Sequence, residues 1–413
     1  MEIRVWTDGE TQATLTLGDC IEVMATLEPG SIHAIVTDPP YGLEFMGKAW
    51  DDMGHGNAQQ AWHARWLAEA YRLLKPGGYI VAFGGTRTYH RLVCSAEDAG
   101  FEIRDSLHWM YGSGFPKSHN VSIAIDKQVG GMGHRGKAIV VAGDGGPQVG
   151  LVNPKGAERH VPRTPEAEAW DGWGTALKPA HEPIMLARKP LIGTVAKNVL
   201  AHGTGALHID ACRVETDDNL NGGAYSAGAS ERHDGAENWR MKRGKQGNAG
   251  EYKPPSGRWP PNILLTHSAA CLPPVPGAPH ACTPDCPVAA LDAQNEGASR
   301  FFPPLDWDPV HDVAPFLYSA KTAKKEREHG RPEDCTDKRW NKHPTVKPVA
   351  LMAWLLKLVG SAPGARVLDP FAGSGTTLCA GLLHGIETIG IEREAAYVEI
   401  ARRRMAAWSE LGE

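Results

Sequence analysis

The sequence IHAIVTDPPY, residues 32–41, decides how the rest of the chain is interpreted. Its first five residues are apolar and rich in β-branched side chains, and two prolines follow, which predicts a buried strand that ends abruptly. Asp38 then lies at the carboxyl edge of that strand, where open α/β sheets carry out their chemistry. Pro39 and Pro40 stiffen the loop and leave its carbonyl groups as acceptors, and Tyr41 adds an aromatic face. The stretch predicts an acceptor-lined slot for a flat amine such as an unstacked nucleobase; an ordinary turn at a strand end is the alternative.

The composition limits the possible architectures and partners. A chain of 413 residues is long for a single core, which favours a large α/β domain with a second module. The net charge of −5 argues against a generally basic nucleic-acid binder. Two stretches are nevertheless locally basic, because residues 231–258 carry seven Lys or Arg against four Asp or Glu, and residues 321–347 carry nine against five. Each stretch either holds a phosphate backbone or forms a solvated surface.

The cysteines and the amino terminus indicate a cytoplasmic protein. Eight cysteines are mostly scattered, and the first ten residues, MEIRVWTDGE, are charged and lack an apolar signal core. No apolar run approaches the length of a membrane span. We therefore expect a protein of the reducing cytosol without a membrane partner.

Strand and helix patterns alternate along most of the chain, which predicts a doubly wound parallel sheet. Two stretches, 117–175 and 191–320, are rich in Gly, Pro and polar residues and are expected to be irregular. The predicted strands are 12–17, 32–36, 79–83, 101–110, 183–187, 366–369 and 387–392, and the predicted helices are 21–27, 59–74, 88–99, 349–359, 378–384 and 395–408.

The segment DPFAGSGTT, which begins at Asp369, predicts a second site: a strand end, a glycine-rich turn and a helix start. It lacks the Lys of a phosphate-binding loop, and Leu378 replaces the third glycine of a dinucleotide fingerprint. A nucleoside site without a pyrophosphate requirement remains. Glu392 ends the next strand 17 residues after Gly375, where a carboxylate typically accepts ribose hydroxyls. Plain packing of Gly373 and Gly375 in a tight turn is the alternative.

Four motifs together resemble those of amino-directed DNA methyltransferases that use S-adenosylmethionine. They are DPPY at 38–41, HPTVKP at 343–348, DPFAGSGTT at 369–377 and IGIE at 389–392. The catalytic motif comes first and the cofactor motif last, as in the β class, and phrases such as GTALKPAHEPIMLARKP resemble phage and prophage members. The resemblance implies a Rossmann-like methyltransferase core with a circularly permuted motif order.

The resemblance also divides the chain into a core and an irregular insertion that recognises the target. The implied parts are the catalytic half of the core at 1–116, a loop-rich insertion at 117–175, a core strand at 176–192, the target-recognition region at 193–340 and the cofactor-binding half of the core at 341–413.

By the same resemblance, individual residues take roles. Asp38 and the carbonyl of Pro39, followed by Pro40, would accept hydrogen bonds from the target amino group, and Tyr41 would stack on the extruded base. Trp109 begins what resembles a second base-proximal motif, but Tyr111 replaces its usual Lys, which favours aromatic packing. The implied cofactor residues are Asp19 for the adenine, Glu392 for the ribose, His343, Thr345 and Lys347 for the methionine end, and Asp369, Phe371, Gly373, Gly375, Thr376 and Thr377 around the turn.

Two further clusters lie in the recognition region. One mixes cations with an aromatic, as nucleic-acid contacts do, although a solvated loop is the alternative. The other has the spacing H-x3-C-x10-C-x3-C, which suits a structural zinc ion, with free buried thiols as the alternative. The first cluster is Trp239, Arg240, Lys242, Arg243 and Lys245, and the second is His267, Cys271, Cys282 and Cys286.

The resemblance favours N6-adenine methylation of double-stranded DNA with base flipping, because Asp at position 38 is typical of adenine enzymes and Ser is more usual for cytosine N4. Cytosine-N4, RNA and protein-glutamine methyltransferases are alternatives, and so is a catalytically idle DNA-binding protein. The sequence leaves open a homodimer, a cognate restriction endonuclease and the target site.

Overall fold

The computed structural model describes most of the predicted core. Every structural statement below concerns the described residues, which are 2–7, 11–43, 51–111, 118–129, 161–214, 216, 257–265, 282, 286–294, 298–302, 324–337 and 339–410.

Strands and helices alternate through these residues. The strands β1–β9 are Glu2–Thr7, Thr11–Leu17, Ile32–Thr37, Leu74–Phe83, Glu102–Met110, His181–Arg188, Ile263–Leu265, Arg366–Asp369 and Glu387–Glu392. The helices α1–α11 are Cys20–Ala25, Asn57–Leu73, Tyr89–Asp98, Val121–Val129, Pro165–Glu168, Val195–His202, Pro287–Gln294, Lys324–Glu328, Val349–Gly360, Thr376–Leu383 and Ala395–Ser409.

The strands of the described ranges form one sheet in the order β1-β2-β9-β8-β3-β4-β6-β5-β7. Neighbours from β2 to β4 are parallel, as predicted, but β6 lies between β4 and β5 and is antiparallel to both. The expectation of a wholly parallel sheet is therefore wrong at β6. The reason is that Met110 and His181 pair in register, so the chain leaves β5 and re-enters the sheet at the same edge. A strand that starts at the carboxyl edge of its neighbours has to run back against them.

Helices cover both faces of the sheet, which confirms the doubly wound α/β architecture. Consecutive residues of β3 are buried on opposite sides: Ile35 packs with Trp66 of α2, and Val36 packs with Leu355 of α9. A strand buried on both faces has no polar side to show, which explains its uninterrupted apolar sequence. Helices α1–α3 lie on one face, and α9–α11 lie on the other.

Several predicted boundaries differ from the structure. The predicted helix at 59–74 and the predicted strand at 79–83 left residues 75–78 as a turn. In the structure α2 ends at Leu73 and β4 begins at Leu74, so no turn separates them. The Lys-Pro-Gly-Gly segment forms an irregular start of β4, where the pairing with β3 shifts register between Ile32 and Ala34 and Gly77 has a φ of 77°. The region expected to be irregular contains α6, β7 and α7, and β1 was not predicted. No helix in the described ranges is long and apolar enough to cross a membrane.

Candidate active site

A buried hydrogen bond joins the two strand ends that the sequence singled out. The Thr37 hydroxyl, at the end of β3, donates to Asp369 Oδ1, at the end of β8, over 2.6 Å, although the two residues are 332 positions apart. Because β3 and β8 are parallel neighbours, Asp38 and the turn containing Gly373 open into one cleft. The predicted catalytic and cofactor motifs are thus brought together.

Asp38 lies in a cluster of charged and phenolic groups. Lys347 Nζ is 2.5 Å from Asp38 Oδ2, and the Tyr41 hydroxyl donates to Asp38 Oδ1 over 2.9 Å. The same hydroxyl is 2.8 Å from Glu182 Oε2, and Lys347 Nζ is 3.3 Å from that oxygen. Two carboxylates therefore share one phenol and one ammonium group.

The charges in this cluster shift one another's pKa values. Burial raises the pKa of Asp38, and the Lys347 ammonium opposes that shift. Burial disfavours the charge on Lys347, but the carboxylates of Asp38 and Glu182 outweigh it, so the pKa of Lys347 lies above its ordinary value. Lys347 was predicted to lie at the methionine end of a cofactor. Its ammonium group contacts the carboxylate of the predicted catalytic motif, and Lys347 lines the cleft together with His343 and Thr345.

Side chains outside the motif at 38–41 hold the backbone that follows Tyr41. The Asp51 carboxylate accepts from the backbone N–H groups of Gly42 and Leu43 over 2.8 and 3.1 Å. The Gln59 amide donates to the Tyr41 carbonyl over 2.8 Å. These contacts fix the backbone that leaves Tyr41, so the orientation of its ring does not depend on the prolines alone.

Glu182 is a site residue that the sequence analysis missed. It is buried, lies at the start of β6, and also accepts a hydrogen bond from the Tyr111 hydroxyl. An antiparallel strand presents its first residues at the edge where its parallel neighbours end, so Glu182 reaches the cleft from the opposite direction. The available signal was an acid directly before the apolar run PIMLA, within HEPIMLAR.

Glycine is required at two positions of the turn. Gly373 has a φ of 54°, and a Cβ there would lie 2.7 Å from His343 Nε2. Gly375 has a φ of 78°, and a Cβ there would lie 2.9 Å from the Ala401 Cβ. The missing side chains let the turn approach both neighbours and open the first turn of α10 toward the cleft.

Two carboxylates predicted to bind the cofactor line the cleft, and they differ in the hydrogen bonds that they already accept. Glu392 accepts from the backbone N–H groups of Gly373 and Glu394 over 2.9 and 2.8 Å. Burial raises its pKa to about 7, against the effect of these two bonds. Asp19 caps α1 by accepting from the Ile21 N–H over 2.9 Å with one carboxylate oxygen. Both side chains retain lone pairs for a ligand.

Asp369, also predicted for the cofactor, lines the cleft and is held by three hydrogen bonds within the fold. Besides Thr37, it accepts from the Phe371 N–H over 3.1 Å and from the Thr377 hydroxyl over 2.5 Å. Burial raises its pKa to about 6. Its contacts hold the turn between β8 and α10 in place.

An aromatic wall forms part of the cleft lining. The ring of Phe371 lies 5.9 Å from Trp62 and 5.3 Å from Trp66, both on α2. Phe371 was predicted as a site residue, whereas the two tryptophans were assigned only to the helix pattern. All three line the cleft.

His343 and Thr345 line the same cleft, as do Thr376 and Thr377. The ring of His343 packs at 4.6 Å against Tyr397, and burial, followed by nearby cations, lowers its pKa to about 3. This imidazole is therefore neutral at physiological pH. Its Nδ1 has no hydrogen-bond partner among the described residues.

Trp109 and Tyr111 are not available as surface DNA contacts. Both are buried, and their rings lie 5.0 Å apart while Trp109 also packs on Phe83. Trp109 lies in β5 and Tyr111 directly follows that strand, so neither side chain reaches the surface, and their assignment as contacts near the target base stays a prediction. The accompanying expectation of aromatic packing is confirmed.

The remaining predicted residues lie largely outside the described ranges. Cys282 and Cys286 are described, and Cys286 is buried. No group of three or more His, Cys, Asp or Glu side chains in the described part of the chain is arranged to hold a metal ion. The zinc site stays a prediction, because two of its four proposed ligands are not described. The undescribed residues are His267 and Cys271, together with Trp239, Arg240, Lys242, Arg243 and Lys245.

Comparisons with known proteins identify relatives of this chain. A family model described as DNA methylase, N6_N4_Mtase, matches residues 32–403. The type II methyltransferase M.HindIII of Haemophilus influenzae is 25% identical over 227 residues, which cover 46% of this chain and 62% of that protein. M.HpaI of Haemophilus parainfluenzae is 33% identical over 109 residues, which cover 26% of this chain and 35% of that protein. The chain thus spans less than two thirds of the length of either relative.

The solved structure of the M1.HpyAVI complex with SAM aligns over 95% of this chain and 99% of that chain, at 15% identity and a TM-score of 0.36.

Proposed function

Because the chain belongs to the N6/N4 DNA methylase family, we propose that it transfers a methyl group from S-adenosylmethionine to an exocyclic amino group of a base in duplex DNA. The observation that carries this proposal is the shared cleft, which contains both the Asp38 slot and the Gly373 turn. A methyl group has to pass directly between donor and acceptor, so the two sites have to adjoin.

The cleft residues fit S-adenosylmethionine, which supplies an electrophilic methyl group when bound. The Glu392 carboxylate, with free lone pairs, suits the ribose hydroxyls, and the wall formed by Phe371 and Trp62 suits a purine ring. His343 is neutral and adds no positive charge beside a cationic donor. The absence of a side chain at Gly373 lets the turn approach the His343 ring, from which a Cβ would lie only 2.7 Å.

The slot orients and polarises an amine. The lone pair of an exocyclic amino group is delocalised into the base, which makes the group a poor nucleophile. Hydrogen bonds from its two N–H groups to Asp38 and the Pro39 carbonyl return electron density to nitrogen and aim the lone pair at the methyl group. The target base has to leave its stack to reach a slot at the edge of a sheet.

Adenine N6 is the favoured target, because position 38 holds an acid where cytosine-N4 enzymes more usually have Ser. The carboxylate is held by Lys347 and Tyr41 and accepts from both. An amino group that donates to it would complete the same arrangement.

The test is methylation of unmethylated genomic DNA with labelled cofactor, followed by nucleoside chromatography. We expect N6-methyladenine from the wild type and a rate lower by about a hundredfold or more for Asp38→Asn and Asp38→Ala. Calorimetry should find cofactor affinity preserved in both variants. Asp98→Asn is the matched control and should be fully active, because the Asp98 carboxylate is exposed and, among the described residues, accepts a hydrogen bond from the Gln60 side chain alone.

Two results would change the proposal. Turnover of Asp38→Ala near the wild-type rate would refute the catalytic assignment. Appearance of N4-methylcytosine in place of N6-methyladenine would overturn the choice of base and keep the reaction class.

A further inference from the structure

The role of Glu182 is not accounted for by the proposed function. We propose that Glu182 is a positioning residue for methyl transfer: it holds Tyr41 and Lys347 against Asp38, and it receives through the Tyr41 hydroxyl the proton that the methylated amine releases. This inference rests on the proposed function, and it concerns the step after the methyl group has moved.

The geometry provides a continuous path. The Tyr41 oxygen lies 2.9 Å from Asp38 Oδ1 and 2.8 Å from Glu182 Oε2, both ordinary hydrogen-bond lengths. A single hydroxyl hydrogen can satisfy only one of these two contacts as a donor. If Asp38 carries a proton, it donates to the Tyr41 oxygen while Tyr41 donates to Glu182, and both contacts are then satisfied. All of these hydrogen bonds can therefore form at once only when the cluster holds one proton more than its fully ionised form.

The reaction produces that proton. The nitrogen lone pair forms the new N–C bond, and the C–S bond breaks with its electron pair going to sulfur, which becomes a neutral thioether. The nitrogen is then cationic, and one N–H bond breaks with its electron pair returning to nitrogen. The proton passes to Asp38, and a shift of hydrogens along Tyr41 transfers it to Glu182.

The surrounding charges allow Glu182 to accept it. In the ionised cluster Asp38 and Glu182 carry two negative charges against the single positive charge of Lys347, so an added proton neutralises the excess. Other titratable groups face the cluster from neighbouring elements, but none lies on the path through Tyr41. These groups are Tyr111, which donates to Glu182, His181 beside it on β6, Asp369 beside Asp38, and His343 near Lys347.

Glu182→Gln tests the proposal, since the amide preserves size and still accepts from Tyr41 but cannot take the proton. We expect the single-turnover methylation rate to fall about tenfold or more. Glu182 raises the pKa of Asp38 and of Lys347, so its removal should move both limbs of the pH–rate profile to lower pH. A purely structural loss would lower the rate without moving the profile. Glu399→Gln, an exposed carboxylate on α11 paired with Arg402, is the matched control.

A double variant tests the path itself. If Glu182 acts through the Tyr41 hydroxyl, Tyr41→Phe should lower the rate to a similar extent, and the double variant should be no slower than the worse single variant. Cofactor affinity within twofold of the wild type shows that each variant is folded.

The outcomes separate this inference from the proposed function. A wild-type rate and pH profile for Glu182→Gln, with Asp38→Asn inactive, would overturn the inference alone. Additive losses in the double variant would also overturn it. Near-wild-type turnover of Asp38→Asn would instead overturn the catalytic assignment of Asp38 on which the proposed function rests.

Discussion

Three carboxylates at one cleft show how the surroundings of a residue determine its use. Asp369 accepts from Thr37, Thr377 and a backbone N–H, which occupy it within the fold. Glu392 accepts from backbone N–H groups alone, and Asp38 shares partners with Glu182. The same functional group is therefore a structural tie at Asp369, whereas at Glu392 and Asp38 its surroundings fit the proposed roles of ligand acceptor and amine acceptor.

The raised pKa of Glu392 predicts a pH-dependent cofactor affinity. With a pKa of about 7 the free protein holds a mostly protonated carboxyl at pH 6 and a carboxylate at pH 8. Ribose hydroxyls donate better to the carboxylate, so affinity should rise with pH, by about tenfold from pH 6 to pH 8. Calorimetry at three pH values measures this. Glu392→Gln, which cannot titrate, gives the dependence that belongs to the cofactor's own groups. An equal slope in both proteins would contradict the prediction.

At the scale of residues, the sequence predicted those site residues whose position depends only on the neighbouring sequence. Asp38 ends a strand, and Gly373 and Gly375 open a turn, wherever the rest of the chain goes. Glu182 could not be found in this way, because its position depends on the reversed direction of β6. Trp62 satisfied the apolar pattern of its helix, so its second contact, with Phe371, was not visible in the pattern.

At the scale of elements, the contact between β3 and β8 positions the two halves of the cleft. Only two residue pairs are in register between these strands, Ala34 with Val367 and Ile35 with Leu368. The Thr37 hydrogen bond extends the contact to the edge where the cleft lies. The alignment of the Asp38 motif with the Gly373 turn therefore depends more on the Thr37 hydrogen bond than it would if the two strands paired over many residues.

Thr37→Val should lower both stability and activity. Valine has nearly the same shape, but it leaves a buried oxygen of Asp369 without its hydroxyl donor, which costs about 1–3 kcal/mol of the free energy of unfolding. Urea denaturation measures this loss. The control is Thr26→Val, because the Thr26 hydroxyl is exposed and bonds only to a carbonyl of its own helix. Equal stability of the two variants would show that the bond contributes nothing.

The predictability of the elements followed their periodicity. β3, β8 and β9 were predicted to within one residue at each end, since short runs of mostly apolar residues next to Gly, Pro or Asp leave little choice. The start of β4 was missed because Pro and Gly normally indicate a turn, and here the pairing shift with β3 accommodates them as extended chain. The direction of β6 depends on where the insertion returns, which local sequence does not encode.

At the scale of the molecule, a protein with a net charge of −5 has to concentrate its positive charge to hold DNA. The cationic cluster at 239–245 is the sequence's strongest candidate for this, and its role stays a prediction. A homodimer, a partner endonuclease and structural zinc likewise stay predictions.

Neutralising that cluster should weaken DNA binding and its salt dependence together. The magnitude of the slope of log affinity against log salt should fall by about 0.9 for each DNA phosphate that the protein no longer neutralises. Fluorescence anisotropy with duplex DNA measures the slope. Alanine at Arg402 and Arg403, which pair with Glu399 on α11, is the control and should leave it unchanged. An unchanged slope in the test variant would assign the cluster to solvent. That variant replaces Arg240, Lys242, Arg243 and Lys245 with alanine.

The strand order has a consequence for biosynthesis. β8 and β9 follow every other described strand along the chain, yet they lie between β2 and β3, which are among the first. As a nascent polypeptide leaves the ribosome, β2 and β3 therefore emerge with no central neighbours, and each exposes an unpaired edge. The gap closes only after residue 392 has cleared the exit tunnel. A premature stop codon before β8 would thus yield two separate sheets with unpaired, aggregation-prone edges instead of a smaller folded domain.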